Sequence, residues 1–253
     1  TREVDWVDAV CKKLPALAVL EGFGFADDDV GFILHNIERL TKLMLPNKSE
    51  QQIADVNTVS TEVCARVEQH LLNTAALRTG EDSDEMLAVY VANLIGLLIQ
   101  SYDAGRGILS NALLQALAQR ERGSEEALVT ETLRFDPPIH NTRRILVEDM
   151  ELAGQALRRG DTVLVVLAAA NRDPAIFTQP DRFNPARPNK GEHLAFGAGI
   201  HQCAAQHFSV RLAADALAAV FADGRHIELL QTAITYEPMI NARLPQQLMI
   251  SVR

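Results

Sequence analysis

The sequence predicts a mainly α-helical domain with a minor β part. Apolar residues recur at helical spacing through most of the first 135 positions. Pro137-Pro138 then changes the texture, and short strand-like segments follow. Hydrophobic residues make up 47% of 253 positions, which supports a substantial core and excludes a disordered chain. These features predict a single domain over 1–253. It is helical over 1–135, β and meander over 136–195, a glycine-framed loop and helix over 196–222, and terminal β over 223–253.

The elements follow in order. Val4–Leu20 carries a helical pattern that Gly22 and Gly24 end. Asp27, Asp28 and Asp29 offer N-caps and favourable charge for a helix over Val30–Leu45. Pro46-Asn47-Lys48-Ser49 predicts a turn, and Glu50–Leu77 a third amphipathic helix. Thr79–Ser83 predicts a break before a long apolar helix from Asp84 to beyond Leu98. Shorter helices are expected over Asn111–Arg122 and Ser124–Phe135, the latter capped by Ser124. Thr142–Val147, Glu151–Leu152 and Thr162–Val166 read as strands, with Gly154 and Gly160 at turns. An Asn-, Asp-, Pro- and Arg-rich loop spans Asn171 to Glu192, and a helix runs through Ala204–Ala222. His226–Leu230, Ile234–Tyr236 and Gln247–Val252 complete the expected strands.

A net charge of −9 argues against a nucleic-acid backbone as partner. Cys11, Cys64 and Cys203 are too scattered for a disulfide framework or a zinc ribbon, which favours a reducing, cytoplasmic setting. The longest apolar run, Met86–Ile99, contains Asn93 and is shorter than the ~20 residues a membrane span needs. No targeting segment or anchor is visible, although the chain begins at Thr1 without a methionine, so an upstream segment would not be seen.

The most informative stretch is Phe196-Gly197-Ala198-Gly199-Ile200-His201-Gln202-Cys203. Its glycines permit backbone angles closed to other residues and close approach by a flat ligand. A cysteine before a helix feels the positive end of the helix dipole, which favours the thiolate. Thiolate sulfur suits a soft metal centre, haem iron included. A lone cysteine after such a turn is also compatible with a small core residue.

The spacing Phe-Gly-x-Gly-x-His-x-Cys resembles the haem-ligand signature of the cytochrome P-450 family. That pattern usually continues Cys-x-Gly, whereas this chain has Cys203-Ala204-Ala205. Glu131-Thr132-Leu133-Arg134, Asn171-Arg172-Asp173-Pro174 and Pro180-Asp181-Arg182-Phe183 occur in the order found in that family. Taken alone, Glu131 and Arg134 make an ordinary ion pair on one helix face.

The resemblance implies a cytochrome P-450 fold lacking its N-terminal helices, with haem b (iron protoporphyrin IX) on an axial Cys203 thiolate. It implies a buried network of Glu131, Arg134 and Arg182 that fixes the meander before the cysteine. Arg144 and His201 become candidates for the haem propionates, with Arg143 on the opposite strand face, and Phe196 packs near the proximal side. In the segment Gln100-Ser101-Tyr102-Asp103-Ala104-Gly105, Asp103 matches the family's proton-delivering acid. Ala104 stands where threonine is usual. Asp103 reads equally as a helix-distorting polar residue beside Gly105 and Gly107.

The activity implied is monooxygenation of a small or medium apolar substrate, with electrons from a ferredoxin or flavoprotein reductase. A peroxide-driven peroxygenase or a non-catalytic haem-binding remnant are the other readings that the departures leave open. Arg187, Lys190, His207 and Arg211 are candidates for a basic docking face toward an acidic partner.

Overall fold

The computed structural model describes residues 2–44, 47–74, 84–119 and 123–253. They group into two compact units, Asp8–Arg106 on the one hand and Thr1–Val7 with Gly107–Arg253 on the other.

The Asp8–Arg106 unit is helical. It contains α1 (Leu14–Gly22), α2 (Asp27–Thr41), α3 (Glu50–Asn73) and most of α4 (Asp84–Ala118). The expected cap of α2 moves by one residue: Ala26 is the N-cap, and Asp27, Asp28 and Asp29 form the first turn, where their charge favours the helix dipole. Ser49 caps α3 through a reciprocal exchange with Gln52, which satisfies two otherwise unpaired N–H groups. Val59, Val63 and Val67 line one face of α3, and with Ile33, Ile37, Leu40, Leu94 and Leu98 they form a buried core. Arg66 pairs with Asp29 at 2.6 Å, and Arg39 with Asp55. The expected break at 79–83, the turn residue Pro46 and the ends of three predicted helices (45, 75–77, 120–122) lie outside the described residues.

α4 is longer than the sequence suggests. Asn111–Ala118 continues it rather than forming a separate helix. Gly105 and Gly107 do not break α4, because both meet packed proline. A Cβ on Gly105 would lie 2.6 Å from Pro15 Cγ, and one on Gly107 would collide with Pro138 Cβ and lie 2.6 Å from Leu244 Cδ2. By length and composition α4 could also cross a membrane. Its Leu94, Ile95, Leu98 and Tyr102 are nevertheless buried in the protein core.

The other unit pairs α5 (Glu125–Phe135) with α7 (Gln206–Val220); Leu128, Val129 and Leu133 are buried, as are Ala213, Ala214 and Leu217. Ser124 caps α5 as expected, accepting from the Ala127 N–H at 3.3 Å. Two small sheets join β2 (Thr142–Ile145) to β5 (Thr162–Val165) and β3 (Met150–Leu152) to β4 (Gln155–Leu157), all antiparallel. Between β3 and β4, Ala153 and Gly154 both have positive φ, the geometry of a tight two-residue hairpin. A short helix, α6 (Leu167–Ala170), follows β5.

A third sheet runs β1 (Arg2–Asp5), β7 (Met249–Val252), β6 (Ile227–Leu229), with Arg2 opposite Val252. β1 corrects the expectation of helix from Val4: its partner lies at the far end of the chain, beyond the reach of local periodicity. Asp5 ends the strand by accepting from the Val7 and Leu248 N–H groups. β4 was not expected, and Ile234–Tyr236 forms only the isolated bridge Tyr236 to Pro245.

Gly107→Ala is expected to cost about 1–3 kcal/mol through overpacking against Pro138 and Leu244. Gly31→Ala, on an open α2 surface, should instead stabilise by about 0.4–1 kcal/mol. Urea denaturation midpoints of the two variants should move in opposite directions.

Candidate functional site

The cysteine loop is built from backbone hydrogen bonds. Gly197 N–H donates to Leu194 O at 2.8 Å, Gln202 N–H to Gly199 O at 3.0 Å, and Cys203 N–H to Phe196 O at 2.9 Å. Gly197 and Gly199 take φ of 71° and 76°, which makes this compact turn inexpensive for glycine and strained for other residues. α7 begins at Gln206, three residues beyond Cys203 and later than expected.

Cys203 is exposed, as are His201, Gln202 and Ala204, while Phe196 is half-buried. Ile200 is 96% exposed beside them. A soft sulfur donor next to a bare aliphatic side chain is chemically suited to a flat, apolar, metal-containing group. The loop fits haem on that ground. Arg144 is exposed on β2, and its described hydrogen bonds, to Thr142 Oγ1 and Arg143 O, both leave from Nη1. Its remaining N–H groups suit a carboxylate. Arg143 is also exposed, so exposure does not distinguish the two arginines. Asp103 is half-buried on the α4 segment of the other unit.

Behind the loop lies a buried charge cluster. Glu131 and Arg134 are fully buried, and Arg187 is 5% exposed. Arg134 grips Glu131 with two bonds, Nε to Oε2 at 2.9 Å and Nη2 to Oε1 at 2.8 Å. Arg187 Nε reaches the same Oε1 at 3.3 Å, and Asn184 N–H donates to it at 2.9 Å. The outward N–H groups bind backbone carbonyls: Arg134 those of Asn171, Pro180 and Arg182, Arg187 those of Thr178, Gln179 and Arg182.

This corrects the expected third member. Arg182 contributes only its carbonyl; its side chain is exposed, and Arg187 supplies the second guanidinium. The left-handed Gln179 and the turn at Asn184 fold the meander so that Arg187, five positions after Arg182, enters the core. The expected basic docking face loses one member: Arg187 is buried. Lys190 Nζ donates to Arg187 O, Arg211 pairs with Asp215 at 2.9 Å while remaining exposed, and His207 is exposed.

Sequence reasoning missed His193. It is 7% exposed, its Nδ1 accepts from the Ala195 N–H at 3.2 Å, and its ring lies 5.9 Å from that of Phe196. Burial, aided by the positive charge of Arg134, lowers its pKa from 6.5 to about 4, so it is neutral at physiological pH. A separate cavity of about 460 Å³ lies beside Asp136, His140, Arg172, Tyr236 and Arg243, with no residue of the cysteine loop in its wall. Asp136 there pairs with Arg243 at 3.1 Å, and burial raises its pKa.

Residues 125–213 match the Cytochrome P-450 family model. The 6-deoxyerythronolide B hydroxylase of Saccharopolyspora erythraea is 33% identical over 217 residues, which cover 79% of this chain and 53% of the hydroxylase. The chain belongs to the cytochrome P-450 family. Its matches to curated relatives such as this one cover 17% to 53% of their lengths. Among solved structures, CalO2 superposes with a TM-score of 0.86 at 25% identity, over 99% of this chain and 68% of CalO2. P450BioI, solved in complex with an acyl carrier protein bearing hexadec-9Z-enoic acid, superposes with a TM-score of 0.83 at 21% identity, over 99% of this chain and 69% of its own. The P-450 fold is thus present, and the described residues correspond to part of it.

Glu131→Gln leaves two buried guanidiniums without their counter-charge and should cost about 3–5 kcal/mol. Arg187→Leu should be comparably damaging, whereas Arg182→Ala should stay within about 0.5 kcal/mol; denaturant unfolding of the three variants checks the ranking. A second expectation concerns pH. As pH falls below 6.5 the unfolded chain binds a proton that folded His193 refuses until about 4, so stability declines across that window. The decline amounts to at most about 3 kcal/mol, and His140, whose pKa burial also lowers, adds in the same direction. Melting temperatures from pH 7 to 4 should fall less steeply for His193→Gln than for the parent protein.

Proposed function

We propose that this chain carries the haem-thiolate part of a cytochrome P-450 monooxygenase, with Cys203 as the axial ligand. The observation that carries the reading is the exposed Cys203 on a loop closed by its own N–H bond to Phe196 O. Family membership and the name of the similar hydroxylase support oxidation of an organic substrate.

Bound haem supplies the redox chemistry of the family, in which one atom of O2 enters the substrate and the other leaves as water, using two electrons and two protons. This chain's residues hold and shape that chemistry. Cys203 donates the thiolate. Arg144 and His201 offer N–H donors for the two propionates, and Phe196 covers the proximal side. Asp103 holds a proton for delivery, and Ser101, a bound water or a substrate hydroxyl completes the relay where Ala104 replaces the usual threonine. The substrate is a small or medium apolar molecule, and the electrons come from a ferredoxin or flavoprotein in the cytoplasm. A substrate presented on a carrier protein, as in the P450BioI complex, is a further form that this chemistry accommodates.

Reduction with dithionite under carbon monoxide is expected to give a strongly red-shifted Soret band in the parent protein. Cys203→Ser should lose that band; its persistence would overturn the ligand assignment. Asp103→Asn should keep the band and slow turnover by roughly 10²-fold, as removal of a proton donor does. Unaltered turnover would remove Asp103 from the mechanism.

A further inference from the structure

Asn171 follows α6 and is fully buried. Its side chain is used in both directions. Oδ1 accepts from Leu194 N–H at 2.7 Å, and Nδ2 donates to Leu133 O at 3.3 Å. Leu133 O is one of the carbonyls that α5 leaves without a partner inside the helix. Asn171 O in turn accepts from Arg134 Nη1 at 3.0 Å. Chemistry settles which amide atom is which: an N–H must meet an oxygen, and a carbonyl must meet an N–H.

From Leu194 the connection runs straight to the cysteine. Leu194 O accepts from Gly197 N–H, and Phe196 O accepts from Cys203 N–H. Leu194 is therefore held on both sides, by Asn171 through its N–H and by the loop through its carbonyl. The charge cluster meets the meander between Thr178 and Arg187 but makes no hydrogen bond to residues 194–203 among the described bonds. The Asn171 side chain is what links the two.

We infer that Asn171 is a positioning residue for Cys203: it transmits the register of the buried Glu131–Arg134–Arg187 cluster to the cysteine loop through the Leu194 amide. The role requires one acceptor and one donor on a short side chain, which is why asparagine occupies the position. Its bearing on haem ligation rests on the reading of Cys203 as the axial ligand.

Two substitutions separate the two bonds. Asn171→Leu keeps the shape and removes both, while Asn171→Asp keeps an oxygen for Leu194 N–H and faces Leu133 O with an O–H donor when neutral or, when ionised, with an unpaired oxygen and a buried charge. Amide hydrogen exchange is measured on the full chain without haem, and the reduced carbon-monoxide spectrum on the haem-loaded chain. In Asn171→Leu, exchange at Leu194 and Cys203 should accelerate roughly tenfold or more, while residues 128–132 stay near the parent value. Its thiolate-type Soret band should give way in part to the less red-shifted form. Asn171→Asp should retain both the Leu194 protection and the parent spectrum.

Equal behaviour of the two variants, or unchanged Leu194 exchange in Asn171→Leu, would overturn the inference. Should Asn171→Leu lose protection at 128–132 and so fail to fold, Asn171→Asp decides alone: a protected Leu194 supports the role, and an unprotected Leu194 with 128–132 still protected overturns it. A parent protein without any thiolate band refutes the Cys203 ligand reading instead, and the exchange contrast still reports whether Asn171 holds the loop.

Discussion

The carboxylate of Glu131 is the group on which the arrangement around Cys203 depends. Burying an isolated carboxylate costs several kcal/mol, and burying an isolated guanidinium costs as much. Here one carboxylate meets two guanidiniums and a backbone N–H, and the arginines pass their remaining donors to meander carbonyls. The meander, which has almost no regular secondary structure, thereby gains the partners that a helix or sheet would have supplied internally. Removing Glu131 would leave those carbonyls in place but make the two buried cations uncompensated. The cluster is thus a scaffold for irregular backbone, and its electrostatics serve position rather than chemistry.

The cysteine loop uses a different principle. No charge acts within it; two left-handed glycines and three backbone hydrogen bonds define its course, and Cys203 and Ile200 are left exposed. Such a loop is precise only if its ends are anchored. α7 anchors one end by packing its buried face against α5, and the segment from His193 to Leu194 anchors the other. His193 contributes a neutral, buried ring against Phe196, a contact that burial maintains by suppressing protonation. Cluster and loop are therefore two rigid pieces, one electrostatic and one conformational, joined over a few residues.

Much of this was legible in the sequence, where the signals are local. Helical periodicity located α2, α3 and α5, Ser124 was legible as the cap of α5, and Gly154 and Gly160 marked turns that indeed carry positive φ. Spacing identified Glu131 and Arg134 as partners, because three residues on a helix place them on one face. The misses share a cause, which is dependence on distant partners. β1 is a strand only because β7 lies beside it, and Gly105 and Gly107 sit inside α4 where Pro15 and Pro138 occupy the space a side chain would need. Arg182 and Arg187 are both arginines of one loop, and the choice between them is made by the turns of the meander, which motif order does not reveal. Cys203 was singled out by the motif around it, whereas the burial of His193 and Asn171 carries no local signal.

The central claim is that Glu131 and Arg187 act as one unit across 56 positions of sequence. A double-mutant cycle measures it directly, using Glu131→Gln, Arg187→Gln and the pair, with unfolding free energies from urea denaturation. The account predicts a coupling energy of about 2 kcal/mol or more between the two positions. Additive single-mutant effects, within about 0.5 kcal/mol, would contradict it.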